Sequence, residues 1–168
     1  AQFAAAKNFV AVARTEDHIA RVRGLLDGGA TIEGVKIDAD FRWLLLNRLA
    51  TLGRISESEI STEEANDVTS AGKKNAAAAR AALPDAAHKQ YVWNEVLGDT
   101  ELSNEVLGAT VAGLMQPDQA ELLAGFADSY FAALPKLWAE RSNEIAQIVT
   151  TGFFPAFREL LTNRGFLL

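Results

Sequence analysis

Apolar residues recur along this chain at helical spacing, in blocks separated by capping residues, glycine or proline. Residues 1–14 are alanine-rich, with Phe3, Phe9 and Val10 as the larger groups, and read as the end of a helix. Thr15 opens a predicted helix over 16–27, whose apolar face is Ile19, Val22, Leu25 and Leu26. Glu16 and Asp17 sit at its positive end, and Gly28-Gly29 stop it. The connection over 28–39 holds Ile32, Val35 and Ile37 between glycines, a pattern for a short extended piece. Predicted helices follow at 39–53, 57–67 (opened by the capping box Ser56-x-x-Glu59), 69–82, 85–97 and 103–115. Pro117 starts one over 117–133, and Pro135 starts the last, which reaches Phe153 before Pro155.

The helices fall into successive pairs: 16–27 with 39–53, 57–67 with 69–82, 85–97 with 103–115, and 117–133 with 136–153. The step of roughly 30–40 residues is that of two-helix solenoid repeats, although no strict repeat is visible. Residues 39–53 support stacking. At 100° per residue, Phe41, Leu44, Leu45 and Leu52 cover one side, and Trp43, Leu46 and Ala50 another. Only Asn47, Thr51 and Arg54 form a polar strip, so this helix is expected to be covered on two sides. The expected fold is all-α: stacked antiparallel helix pairs in one irregular α-solenoid domain spanning 1–168.

Composition agrees. Alanine, the strongest helix former, supplies 30 of 168 residues, while glycine (12) and proline (4) are sparse. Cysteine is absent, which excludes disulfides and thiolate chemistry and fits a reducing, cytoplasmic setting. A net charge of −6 argues against nucleic acid as a partner. No apolar run reaches the ~18 residues of a membrane span; Phe41–Leu52 comes nearest and is interrupted by Arg42, Asn47 and Arg48. The chain opens at Ala1 inside a helical pattern, without methionine, so it is expected to be a piece of a longer protein.

Catalytic signals are missing. His18 and His88 stand on different predicted helices, neither in the His-Glu-x-x-His spacing that places two imidazoles one turn apart on a zinc ion. There is no Gly-x-Ser-x-Gly elbow and no phosphate-binding loop. The acidic cluster from Glu57 to Glu64 reads as a solvated face. Two arginines stand out. Arg42 falls between Leu45, Leu46 and Leu49, and Arg141 between Trp138, Ile145, Ile148 and Val149. A guanidinium on an apolar face requires a hydrogen-bonded anion. One reading is structural: Arg141 with Glu144, and Arg42 with Asp38 or another helix's carboxylate. The other is a cation facing a cavity that accepts a carboxylate.

Particular strings carry a resemblance. They are Gly24-Leu25-Leu26-Asp27-Gly28, Asp40-Phe41-Arg42-Trp43-Leu44-Leu45-Leu46-Asn47-Arg48-Leu49, Gly53-Arg54 and Glu59-Ile60, then Thr69-x-x-Gly72 with the alanine-rich helix after it. Met115-Gln116, Tyr130-Phe131, Trp138-x-x-Arg141-x-x-Glu144-Ile145-Ala146 and Phe154-Pro155 continue the match in order. Together they resemble the C-terminal domain of bacterial aminopeptidase N, above all the actinobacterial kind. The resemblance implies a bowl of HEAT- or armadillo-like helix pairs, similar to that of the endoplasmic-reticulum aminopeptidases. It implies a zinc metallopeptidase parent that removes N-terminal residues from peptides. This domain would pack on its own catalytic domain, enclose the active-site chamber and contact the distal part of the peptide substrate. The family's zinc ligands and its Gly-x-Met-Glu-Asn stretch do not occur here, so no catalytic or metal residue is carried over, and the fragment alone is expected to be inactive. Arg42 and Arg141 are the candidate chamber contacts. The alternative is a helical-repeat scaffold for a protein partner, with no peptidase attached.

Overall fold

The computed structural model describes residues 2–98 and 101–163, with side chains as far as Phe154. The described residues form ten α-helices: α1 (Gln2–Val12), α2 (Glu16–Leu26), α3 (Ala39–Thr51), α4 (Glu57–Asn66), α5 (Ser70–Ala82), α6 (Ala86–Leu97), α7 (Asn104–Leu114), α8 (Ala120–Leu123), α9 (Phe126–Glu140) and α10 (Asn143–Asn163). A 3-10 turn, Pro117–Gln119, links α7 to α8. Local chemistry explains most of the starts. Thr15, Asp38, Ser56, Thr69, Asp85 and Ser103 each accept a bond from the backbone N–H three residues on. Ser56 and Glu59 complete the reciprocal capping box. The 28–39 connection contains one isolated antiparallel bridge, Ile32 with Val35, and no longer strand.

The final pair differs from the expected boundaries. The helix expected over 117–133 is split at Ala124-Gly125, and Pro135 lies inside α9 rather than at a helix start. Pro155 lies inside α10. The break falls instead at Arg141-Ser142, where the Ser142 carbonyl and hydroxyl accept the amides of Ala146 (2.9 Å) and Ile145 (3.3 Å). Packing overrides the proline signal. Tyr130 and Leu137 are both buried and seven residues apart, so they share a face only if the helix continues through Pro135.

The helices pack in two rows. In one, α1, α3, α5, α7 and α10 touch in succession; on it lie α2 against α3, α4 against α5, α6 against α7, and α9 against α10. The expected pairings hold, with the last shifted. Helix α3 is covered on two sides, with Phe41 and Leu45, Trp43, Leu46 and Ala50 all buried.

Two hydrophobic clusters result, and α5 lies between them: Ala76, Ala79 and Ala82 face the first and Ala81 the second. Here the alanine-rich composition finds its use, because small side chains let α3 and α7 approach α5 from both sides. The second cluster centres on Trp93, whose ring lies 5.0 Å from Phe126 and 4.8 Å from Phe153.

At the C-terminal ends of four helices, carbonyls in or just past the last turn are met by side chains. Arg48 donates to Ala13 O just past α1, from Nε at 2.9 Å and Nη2 at 2.7 Å. Gln119 Nε2 donates to both Thr51 O of α3 and Ala82 O of α5, each at 2.7 Å. His88 Nε2 pairs with Arg80 O at 2.8 Å. Lys89 Nζ donates to Ala81 O of α5 (2.7 Å) and Leu114 O of α7 (3.3 Å). Polar groups thus join neighbouring helices where apolar packing runs out.

Candidate functional site

Both candidate arginines line surface hollows. Arg42 projects from the first turn of α3. Its Nε and Nη2 grip Glu63 of α4 at 2.7 and 2.6 Å, and Nη1 donates to Leu26 O, the last residue of α2, at 3.0 Å. The fork therefore ties three helices. Leu45, Leu46 and Leu49 are buried beside it, as the helical pattern required, and Glu63 retains only 9% side-chain exposure. The hydrogen bond to Glu63 holds the guanidinium above its ordinary pKa, against the opposing effect of burial. Asp38, the other partner considered, caps α3 through Phe41 N at 3.0 Å. The adjoining hollow, about 370 Å³, is bordered by Arg23, Asp27, Thr62 and Asn66.

Helix α4 keeps the expected solvated face at Glu57 and Glu59, 52% and 45% exposed, and adds pairing to it. Glu57 and Glu64 pair with Arg80 of α5 at 2.6 and 2.7 Å, Glu59 with Arg23 of α2 at 2.6 Å, and Glu63 with Arg42. Only Ile60 and Glu63 of α4 are buried, so this helix has little apolar surface to dock with and charge takes over part of that task. Glu59 is held below the usual carboxylate range, chiefly by the Ser56 backbone amide, with burial opposing and Arg23 assisting.

Arg141 stands outside regular helix. It is the extended residue (φ −107°, ψ 161°) at the break between α9 and α10. Its half-buried guanidinium donates to Gly98 O at the end of α6. The apolar face expected from a continuous helix is thus interrupted, and Trp138 is 47% exposed. Arg141 lines a hollow of about 400 Å³ with Leu97, Ala133, Lys136 and Leu137. A second cation, Lys136, shares this hollow together with Glu140, with which it pairs at 3.7 Å. Arg42 and Arg141 thus line different hollows.

The buried polar groups Arg48, Lys89 and Gln119 were not singled out from the sequence. For Lys89 a signal exists: it precedes Val92, Trp93 and Val96 by three, four and seven residues, all buried with it on one face of α6. Among the described residues, no three His, Cys, Asp or Glu side chains converge to hold a metal. His18 packs edge-on against Phe9, while His88 bonds α5. No described helix is long and apolar enough to cross a membrane.

The model of the ERAP1-like C-terminal domain family matches residues 2–162, and the chain belongs to that family. It is also 45% identical over 155 residues to Aminopeptidase N of Streptomyces lividans. That match covers 92% of this chain but 18% of the relative, so the chain spans about a fifth of the protein it resembles.

Proposed function

We propose that this chain is the non-catalytic C-terminal domain of a zinc aminopeptidase that removes N-terminal residues from peptides. The match to an aminopeptidase N across nearly the whole chain carries this reading. In it, residues 1–168 are one domain of stacked, HEAT-like antiparallel helix pairs, a form supported by the succession of packed helices. The domain packs on the parent's own catalytic domain, encloses the chamber and contacts the distal part of the peptide. Zinc and its ligands belong to the catalytic domain, and the parent works in the cytoplasm. The isolated chain is expected to release no N-terminal residue from any peptide, with or without added zinc. The parent is expected to lose activity on peptides when this segment is deleted. A parent lacking His-Glu-x-x-His, or one indifferent to the deletion, would overturn the reading and leave an interaction scaffold.

The two arginines then separate. With its fork filled by Glu63 and Leu26 O, Arg42 serves stability in this reading. Arg42→Ala in the full enzyme is expected to cost about 2 kcal/mol, several degrees of the domain's melting temperature, because it leaves the buried Glu63 without its cation, at unchanged KM. Arg141, which donates to Gly98 O and lines the larger hollow with Lys136 and Glu140, is the second candidate for a peptide carboxylate. Arg141→Ala is expected to raise KM for peptides with a free C-terminus and leave their C-amidated forms unaffected. Equal effects on both forms would assign Arg141 to structure.

A further inference from the structure

Lys89 is fully buried, and nothing in the proposed function uses it. It sits on α6 with its ammonium between the C-terminal carbonyls of α5 and α7, Ala81 O and Leu114 O. Ala81 and Leu114 both belong to the second hydrophobic cluster, so the ammonium joins α5, α6 and α7 within it. Helix C-termini carry partial negative charge, so the position suits a cation, yet among the described residues its hydrogen-bond acceptors are these carbonyls and no carboxylate.

The charged groups of the surrounding elements are engaged elsewhere. From α5, Arg80 turns to Glu57 and Glu64, while Lys74 pairs with α7's Glu105 at 3.4 Å. Lys73 of α5 is exposed. From the 3-10 turn, Asp118 accepts Arg14 and Arg48. On α6 itself, Asp85 caps the helix through His88 N, and His88 bonds Arg80 O. Tyr91 and Glu95 border a separate hollow beside Val106. Among the described residues, the hydrogen-bond partners of the ammonium are the two helix-end carbonyls.

We propose that Lys89 is a proton-responsive joint among α5, α6 and α7. Protonated, it is a buried cation steered by two helix ends; neutral, it is a buried amine that still donates to both carbonyls without the cost of a desolvated charge. Burial lowers its pKa from 10.5 to about 8. The folded chain therefore releases this proton near pH 8, whereas the unfolded chain keeps it to about 10.5. Between these values the unfolded state binds more protons, so stability from this group rises with pH.

The test has two arms. The first is an NMR titration of the Lys89 Cε and Nζ resonances in the intact chain, with a midpoint near 8 expected. The second compares unfolding of the native chain with Lys89→Met in urea at pH 7 and pH 9.5. The native unfolding constant is expected to fall relative to the variant by on the order of tenfold. An Nζ midpoint above 10 would overturn the proposal even if the variant does not fold. So would a native-to-variant ratio unchanged with pH.

Discussion

Gly113→Ala is expected to destabilise the domain by about 3 kcal/mol, the upper end of overpacking costs. Gly113 is buried on α7 against α5. A Cβ there would press on the carbonyl oxygen of Ala78, with Ala78 Cα 2.7 Å away and its carbonyl carbon 2.8 Å away. These are backbone atoms in mid-helix and cannot rotate aside as a side chain would. Relief requires α5 and α7 to separate, which loosens the alanine packing on both faces of α5 and stretches the Lys89 bridge. Gly108, one helix face away on α7, supplies the control. A Cβ at that site meets only Ile148 Cγ2, at an ordinary 3.8 Å. Gly108→Ala is expected to be neutral or stabilising by up to about 1 kcal/mol through helix propensity. Urea unfolding of both variants checks the contrast. A Gly113→Ala chain as stable as Gly108→Ala would refute the close approach of α5 and α7.

The legible features of this fold are the local ones. Thr15, Ser56, Thr69, Asp85 and Ser103 mark helix starts because an N-cap acts on an amide three residues away, within the span that a sequence pattern covers. The inner place of α3 was legible because its apolar residues wrap two sides. Pro135 misled because its local preference for a helix start competes with the burial of Tyr130 and Leu137, which depends on distant partners. The capped helix ends were hidden for a similar reason. A carbonyl carries no residue identity, and Gln119 reaches Thr51 across 68 positions. At the candidate sites, pattern alone marked Arg42 and required an anion for it. It did not select Glu63 among the acids of α4, since that choice depends on how α4 docks. Arg141 was noticed for a helical face that Ser142 interrupts.

Asp118→Ala is expected to cost about 3 kcal/mol, because it leaves a buried arginine without its anion. Asp118 lies in the 3-10 turn after α7 and receives Arg48 Nη1 from α3 on one oxygen. On the other it receives Arg14 Nε and Nη2, at 3.0 and 2.6 Å. The two arginines differ in setting: the Arg48 side chain is 9% exposed and that of Arg14 69%. Arg14→Ala should therefore change stability by less than about 1 kcal/mol, as exposed ion pairs do. Arg48 still holds Ala13 O in the Asp118 variant, but a neutral carbonyl does not neutralise it. Removing both members, as Asp118→Ala with Arg48→Met, should recover part of the loss, a coupling that a double-mutant cycle measures. Acid provides an independent check. Burial raises the Asp118 pKa, but hydrogen bonds from Arg48 and Arg14 outweigh it and hold the carboxyl below its usual 3.8. A lowered folded pKa contributes stability that is complete above the unfolded value and lost as pH falls through the folded one. The gap between native chain and Asp118→Ala should thus be constant near neutrality and shrink below about pH 4. A gap that persists unchanged into strong acid would show that Asp118 holds the turn by shape, and that its charge does not fasten the second half of the domain to the first.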